Sequence, residues 1–177
     1  MSLEESPLLA DGSAPATPDE LFHRLEELDA VFHTVQHPPV FTVEEAKALR
    51  GDIPGCHTKN LFLRNKKGAM WLVVCLEDRG VDLKVLAGRL EAGRLSFGSA
   101  DRLMKYLGVI PGAVSPFAVI NDRGSAVRVA LDRSVLDREP LNFHPLDNAM
   151  TTSIDVKGFM RFLEAAGHPP DLISFTA

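Results

Sequence analysis

Two apolar runs joined by a short polar turn constrain the fold of this chain more than any other feature. The runs are Leu61–Leu63 and Met70–Leu76, and the turn between them, residues 65–68, ends in Gly68. Strand-forming residues on both sides of a glycine that can take the left-handed conformation are typical of a β-hairpin. We therefore predict a hairpin over residues 61–76. Neither run approaches the roughly 18 apolar residues that a membrane-spanning helix needs.

Helix signals lie on both sides of this hairpin. Thr17, followed by Pro18 and Glu20, predicts a capped helix start, and Thr42 with Glu45 repeats the pattern for a short helix that ends near Gly51. We predict three further helices, over Leu83–Leu90, from the cap Ser99 to Gly108, and from the cap Asp155 through Phe159–Leu163. Alternating or apolar runs predict strands over Phe32–His37 and Met150–Ile154, and a second hairpin with strands Phe117–Ile120 and Ala126–Leu131.

The order of these elements shows no regular alternation of strand and helix, which argues against a doubly wound fold. We predict an α+β (mixed α/β) single domain with a mixed, mostly antiparallel sheet surrounded by helices. A chain of 177 residues lies within the usual size range of one domain. Residues 17–177 form this predicted domain, and residues 1–16, with several proline and glycine residues and little periodicity, are expected to be a mobile tail.

The net charge of −5 is unevenly distributed and constrains the class of partner. Residues 1–30 hold eight acids and one base, a balance of −7, so the rest of the chain carries +2. This surplus is enough to hold a few phosphates but too small to coat a long duplex. A partner with a short nucleic-acid end is favoured over long DNA.

The start of the chain and its cysteine residues bear on the compartment. The N-terminus has neither the basic start nor the apolar run of a secretory signal, and Cys56 and Cys75 are two cysteine residues in a fairly large chain. We expect reduced thiols rather than a disulfide, and a cytoplasmic protein without a membrane partner.

Three segments combine a polar group with an apolar, strand-like neighbourhood, which is typical of a pocket edge. Lys59 and Asn60 open the first apolar run, where a compact cation can hold a phosphate or a developing oxyanion, and an amide can position a substrate. Residues 112–116 form a Gly-x-x-x-Pro bend, in which glycine allows close backbone approach and proline fixes the end of the loop. His144 lies between Phe143 and Pro145 and can order a water molecule or contact a ribose.

Each of these residues also has a structural interpretation. Lys59 can be a solvated lysine at a strand end, Asn60 a turn residue, and His144 a buried histidine satisfied by the backbone. The Gly-x-x-x-Pro pattern alone occurs in many turns.

Taken in this order, the three segments resemble the freestanding prolyl-tRNA editing-domain family (YbaK/ProX-like), from about Val31 to Ile173. The family is related to the insertion domain of bacterial prolyl-tRNA synthetases. The resemblance implies the fold of that family and the hydrolysis of mischarged tRNA. It implies catalytic roles for Lys59, Gly112 and His144, and substrate-binding roles for Asn60, Ala113, Val114, Ser115, Pro116, Phe117 and Asn148.

The resemblance also implies a substrate and partners. The expected substrate is Ala-tRNA(Pro), as in the ProXp-ala branch, with Cys-tRNA(Pro) or another small aminoacyl-tRNA as the alternative. The expected partners are the 3′ acceptor end of an aminoacyl-tRNA and a prolyl-tRNA synthetase. Neither a metal nor an organic cofactor is implied.

Two other classes of function are open from the residues. A thiol hydrolase would use Cys56 as nucleophile and a histidine as base, although the adjacent Cys56 and His57 point to opposite faces of an extended chain. A non-catalytic module would bind the tRNA 3′ end and leave the ester intact. His33 and His37 share a strand face, but no acidic third ligand lies nearby in the sequence, which weakens a metal site there.

Overall fold

A mixed eight-stranded sheet forms the centre of the molecule. The computed structural model describes residues 6–39, 42, 44, 45, 47, 48 and 53–175. The strands are β1 (Phe32–Gln36), β2 (Cys56–Arg64), β3 (Met70–Leu76), β4 (Ser96–Phe97), β5 (Val127–Asp132), β6 (Leu141–Phe143), β7 (Met150–Ile154) and β8 (Asp171–Ile173). Their order is β1-β7-β6-β2-β3-β5-β8, with β4 paired to β2 beside this path. The open mixed sheet agrees with the predicted fold class.

The pairing directions place β2 at a junction in the sheet. β2 runs antiparallel to β3 and to β4, and parallel to β6. The β1–β7 and β6–β7 pairs are antiparallel, whereas β3–β5 and β5–β8 are parallel. The hairpin expected from the apolar runs is therefore confirmed as β2–β3, and Gly68 in its turn has φ +86°.

The helices begin and end close to the predicted residues. Those whose bounds are described are α1 (Pro18–Glu27), α2 (Leu83–Leu90), α3 (Ala100–Leu107) and α4 (Val156–Ala165). The side chains of Thr17 and Ser99 accept hydrogen bonds from the first turns of α1 and α3, and Gly108 ends α3 with φ +66°. Asp155 precedes α4 as predicted, but its carboxylate accepts the N–H of Val31 at 3.1 Å rather than capping the helix.

The helix predicted after Thr42 lies partly outside the described residues, but Glu44, Glu45, Lys47 and Ala48 are described and helical. The hydroxyl of Thr42 does accept the N–H of Glu45 at 3.1 Å, as a capping residue would. Its predicted end near Gly51 is not among the described residues.

The second predicted hairpin is wrong. Its first half, Phe117–Ile120, belongs to a 3-10 helix spanning Pro116–Asn121, and β5 pairs parallel with β3 instead of folding back on that segment. Proline at the first helical position favours a helical turn, and the Ser115 hydroxyl accepts the N–H of Phe117 at 3.1 Å. The run is apolar because it packs in the core, not because it forms a strand.

Two apolar clusters cover the two faces of the sheet. The larger one packs α1, α3, α4 and the 3-10 helix against side chains such as Phe62, Val74, Leu131 and Phe143. The smaller one packs α2 against Leu63, Val73, Ala130 and their neighbours. Alternation along β5 follows this division, since Val127, Val129 and Leu131 belong to the larger cluster while Arg128 is exposed.

Residues 6–16, expected to be a mobile tail, lie against the domain at three points. The side chain of Leu9 is only 5% exposed. The N–H of Ala10 donates to the carbonyl of Lys105 at 2.8 Å, and the N–H of Ala16 donates to Asn121 Oδ1 at 2.8 Å. Across the described part of the chain, no helix has the length and apolar character needed to cross a membrane.

Candidate functional site

The alternation of side chains along β2 divides the predicted site residues between two faces of the sheet. Cys56 and Phe62 belong to the larger cluster, so Thr58 and Asn60 between them point toward the same face. Lys59 points to the opposite face, where α2 packs. The adjacent Lys59 and Asn60 are therefore not side by side, although the sequence motif joins them.

Two oxygen atoms on β2 are buried without a partner. In the part of the chain that the structure describes, Thr58 Oγ1 and Asn60 Oδ1 are the buried side-chain polar atoms that make no hydrogen bond. A buried polar atom left unpaired costs about 1–3 kcal/mol. Such a cost is tolerated where a ligand supplies the missing partner.

Lys59, on the other face, already has a partner. Its ammonium group donates to the carbonyl oxygen of Arg79. The Arg79 side chain is held in turn, because Nε lies 3.1 Å from Asp132 Oδ2 and Nη2 donates to Ser134 Oγ at 2.8 Å. Asp132 is fully buried and also accepts the N–H groups of Leu76 and Ser134. Since an ammonium carries three donors, Lys59 keeps donors for a ligand while it holds this segment.

The predicted bend after Gly112 consists of two short helical turns. Pro111–Ala113 forms one 3-10 turn, and the helix from Pro116 follows after Val114 and Ser115. The N–H of Ala113 donates to the Ile110 carbonyl, and that of Phe117 to Ser115 Oγ. The 3-10 turn over Pro111–Ala113 also engages the N–H of Val114, so a ligand at the bend would meet the N–H groups of Gly112 and Ser115.

Burial narrows which residues of the bend can touch a ligand directly. Ala113, Ser115, Pro116 and Phe117 are buried, while Gly112 and Val114 keep part of their surface. The Phe117 ring packs edge-on against two other rings, those of Phe143 and Phe162, each with centroids 5.5 Å apart. The buried residues thus fix the shape of the bend, and Gly112 and Val114 remain to line a pocket.

The contact between Phe117 and Phe143 brings the bend to the end of β6. β6 pairs with β2 through Cys56↔Leu141 and His57↔Asn142. Continued by one residue, this parallel register sets Phe143 level with Thr58. The bend, the end of β6 and the Thr58/Asn60 row therefore meet on one side of the sheet.

His144 is held in one tautomer by its surroundings. Its Nδ1 lies 2.8 Å from the carbonyl oxygen of Met150, which can only accept, so Nδ1 carries the proton and Nε2 keeps a lone pair. Burial lowers the pKa of His144; the Met150 hydrogen bond raises it, and the nearby His37 lowers it further, so the net shift is downward. The ring is therefore neutral at pH 7 and offers Nε2 as a hydrogen-bond acceptor or a base.

Two groups near His144 were missed as site residues from the sequence. The His37 ring lies 6.0 Å from that of His144, and its nitrogen atoms contact the Pro38 carbonyl and Thr151 Oγ1, each at 2.8 Å. Asn142 on β6 accepts the Ser153 hydroxyl and donates to the carbonyls of Pro54 and Cys56. The alternation of residues 32–37 was a usable signal for His37. No sequence pattern indicated Asn142, because an asparagine that is buried in the fold cannot be distinguished in the sequence from one in an exposed loop.

The remaining candidate residues, Asn148 and the two cysteines, are buried. Asn148 is 7% exposed and lies in the segment between β6 and β7. Burial raises the pKa of Cys56, and that of Cys75 to about 11, so neither thiol ionises readily at neutral pH. Among the residues that the structure describes, no three His, Cys, Asp or Glu side chains are grouped to hold a metal ion.

A comparison with protein-family models matches residues 37–162 to the aminoacyl-tRNA editing domain. The matched range contains every predicted site residue, from Lys59 to Asn148. The large aromatic cluster around Phe117 and Phe143 also lies within it.

Relatives of similar length share more than a third of the residues. The chain is 40% identical to the prolyl-tRNA synthetase associated domain-containing protein 1 of Xenopus laevis, over 88% of this chain and 95% of the relative. It is 38% identical to the prolyl-tRNA editing protein ProX of Acetoanaerobium sticklandii, over 82% of this chain and 89% of the relative. Among solved structures, a protein named as a candidate trans-editing enzyme for prolyl tRNA synthetase has a TM-score of 0.65 at 17% identity, covering 91% of this chain and 98% of that one. The last likeness concerns the fold alone.

Proposed function

The chain belongs to the aminoacyl-tRNA editing domain family, and from that premise we propose that it is a trans-editing hydrolase for mischarged tRNA(Pro). The proposed substrate is Ala-tRNA(Pro). Water attacks the acyl carbon and its hydroxyl stays on that carbon, the bond from the carbon to the ribose oxygen breaks, and the ribose oxygen takes the other proton of the water. The observation that carries the proposal is the family match, which spans all the candidate residues and includes the two unpaired oxygens of β2.

The need for such an activity follows from the size of alanine. A pocket shaped for proline cannot strongly reject a smaller amino acid, because each missing methylene changes binding by only about 1–3 kcal/mol. A second site that admits only small side chains can remove the error. Here Gly112 and Val114 are the parts of the bend with free surface, and they suit the border of a narrow pocket.

The roles of the side chains follow from their surroundings. His144 Nε2 accepts a proton from the attacking water or from the ribose hydroxyl. The N–H groups of the bend hold the carbonyl oxygen as negative charge develops on it. Lys59, anchored on Arg79 on the other face of β2, uses a remaining N–H to hold a phosphate of the tRNA, and Asn60 positions the substrate. Asn148 supports the segment that carries His144. We expect the protein to act in the cytoplasm beside a prolyl-tRNA synthetase.

The proposal is tested by deacylation of tRNA(Pro) charged with alanine, cysteine or proline. Purified protein should release alanine fastest and leave prolyl-tRNA intact. Asn60→Ala and Lys59→Ala should each slow alanine release at least ten-fold, whereas Lys67→Ala, an exposed lysine of the hairpin turn, should not change it.

Each contrary result has a clear meaning. Binding of alanyl-tRNA with the ester left intact at all protein concentrations would indicate a non-catalytic module. Release of cysteine faster than alanine would keep the deacylase and replace its substrate. Equal release of all three amino acids would remove the size-selection argument.

A further inference from the structure

The unpaired hydroxyl of Thr58 indicates a binding residue that the predicted site does not include. Other buried polar side chains have partners: Asn142, Thr152, Ser115 and Asp132 each make hydrogen bonds within the protein. Thr58 Oγ1 and Asn60 Oδ1 make no hydrogen bond, although both atoms are buried on the face of the sheet where the bend lies. The exception is thus local to two positions of one strand.

The spacing of Thr58 and Asn60 along the strand suits one small group placed between their side chains. Residues two apart on a strand point to the same face and are separated by roughly 6.6 Å along it. An N–H···O hydrogen bond measures about 2.9 Å between heavy atoms. A single nitrogen located midway between Thr58 and Asn60 can therefore bond to both oxygens at once.

The chemistry of the two oxygens indicates what that group is. An amide oxygen can only accept, and a threonine hydroxyl can accept as well as donate, so the missing partner is a donor. At the end of an aminoacyl-tRNA the phosphates, the ester oxygen and the carbonyl only accept, a ribose hydroxyl offers one hydrogen, and the amino group of the terminal adenine offers two but is uncharged and remote from the acyl carbon. The α-ammonium group offers three.

We propose that Thr58 is a substrate-binding residue whose hydroxyl, together with the Asn60 amide oxygen, holds the α-ammonium group of the aminoacyl ester. The inference rests on the proposed function, since it assigns one subsite of the same reaction. Holding the ammonium on β2 directs the acyl carbon toward the bend at Gly112–Phe117. Thr58 then contributes to the orientation of the ester without taking part in proton transfer.

A test combines one protein change with one substrate change. Thr58→Val keeps the shape of the side chain and removes the hydroxyl, and lactyl-tRNA(Pro) replaces the ammonium of alanyl-tRNA(Pro) by a hydroxyl. On alanyl-tRNA(Pro), Thr58→Val should lower kcat/KM about ten-fold, as expected for a hydrogen bond to a charged group. On lactyl-tRNA(Pro) the change should be less than about two-fold. Thr58→Ser should recover most of the activity on alanyl-tRNA(Pro).

Stability and a matched control separate this role from a structural one. Because Thr58 Oγ1 makes no bond in the free protein, Thr58→Val should keep or raise the Tm. Thr34→Val is the control, since the Thr34 hydroxyl bonds to that of Thr152 at 2.8 Å, and it should lower the Tm and leave the alanyl-to-lactyl ratio unchanged.

The outcomes distinguish this inference from the proposed function. An equal loss on both esters, or no loss on either, would overturn the ammonium subsite while the wild type still hydrolyses alanyl-tRNA(Pro). A lower Tm for Thr58→Val would assign the hydroxyl to the fold and overturn it as well. If the wild type leaves both esters intact, the proposed function itself fails.

Discussion

The polar groups on the two faces of β2 differ in whether the protein supplies their hydrogen-bond partners. On the face that carries Lys59, the ammonium donates to the Arg79 carbonyl, and the Arg79 side chain is paired with Asp132 and Ser134. We call Arg79, Asp132 and Ser134 the closed network; Lys59 donates to it and keeps further N–H donors for a ligand. On the other face, Thr58 Oγ1 and Asn60 Oδ1 have no partner. We call these two oxygens, together with the Nε2 of His144 beyond the end of β6, the open row.

This difference separates what holds the fold from what meets the substrate. A buried group with every partner supplied by the protein has little to gain from a ligand, whereas an unpaired group gains a full hydrogen bond. The closed network should therefore control stability and the open row activity. Substitutions in the two regions can test this division.

The largest effect is expected in the closed network. Asp132→Ala removes a fully buried carboxylate that accepts from Arg79, Leu76 and Ser134. We expect the free energy of unfolding in urea to fall by about 3–5 kcal/mol, because the Arg79 charge and the two N–H groups lose their acceptor. Asp101→Ala, which breaks an exposed pair with Lys105, is the control and should cost less than about 1 kcal/mol. A loss below 1 kcal/mol for Asp132→Ala would contradict a structural role.

The next effect is expected in the open row and concerns activity. His144→Ala should slow the release of alanine from alanyl-tRNA(Pro) by about 100-fold through loss of the proton acceptor, with a change in unfolding free energy of about 1 kcal/mol. Burial lowers the pKa of His144, so its neutral form persists below the usual histidine range. Wild-type activity should therefore stay constant as the pH falls from about 8 to about 6.5, and decline only in more acidic solution.

A control and a contrary outcome accompany this prediction. His23→Ala changes an exposed histidine of α1 and should leave the rate unchanged. If His144→Ala unfolds at much lower urea and retains its activity once folded, His144 belongs with the structural groups and the division between the two regions fails.

The sequence predicted elements with local signals better than it predicted side-chain neighbours. The hairpin around Gly68 and the caps Thr17 and Ser99 follow from residues within a few positions, and each is confirmed. The segment Phe117–Ile120 misled because an apolar run of that length suits a strand and a core-facing 3-10 helix equally. Its packing against Phe143 and Phe162 is a long-range contact that no local pattern encodes.

The candidate site shows the same limit. The sequence grouped Lys59 with Asn60 as a motif, but strand alternation sends them to opposite faces. Thr58 escaped notice because a threonine at a strand position is common, and only the three-dimensional structure shows that its hydroxyl lacks a partner. The order of the motifs along the chain was sufficient to predict the family, but the three-dimensional contacts were needed to assign roles to its residues.

Asp122 and His168 form another buried pair within the protein, and its contribution to stability should depend on pH. Burial by itself raises the pKa of Asp122, but hydrogen bonds from His168 and from the N–H groups of Val127 and Ala126 outweigh burial and hold it below the usual range. A lowered folded-state pKa adds stability above the unfolded value of about 3.9 and loses it as the pH falls through the folded value.

Asp122→Asn should accordingly lower the unfolding free energy at pH 7, and lower it progressively less from about pH 5 downward. Urea unfolding of both proteins across this pH range measures the difference. Deacylation at pH 7 should be unchanged for the folded variant, because Asp122 bonds within the protein to His168 and lies outside the open row. A stability difference that is the same at pH 3 and pH 7 would show that the carboxylate charge is not what stabilises the pair.

The smallest effect is expected at Cys56, which lies on β2 two residues before Thr58 and separates editing from a thiol hydrolase. The side chain is 3% exposed, and burial raises the pKa of its thiol, so the thiolate needed for nucleophilic attack is scarce at neutral pH. Cys56→Ala should change the rate of alanine release less than two-fold, and iodoacetamide should leave the wild type active. Inactivation by iodoacetamide that Cys56→Ala prevents would move the reaction to the sulfur atom and leave the open row without its proposed role.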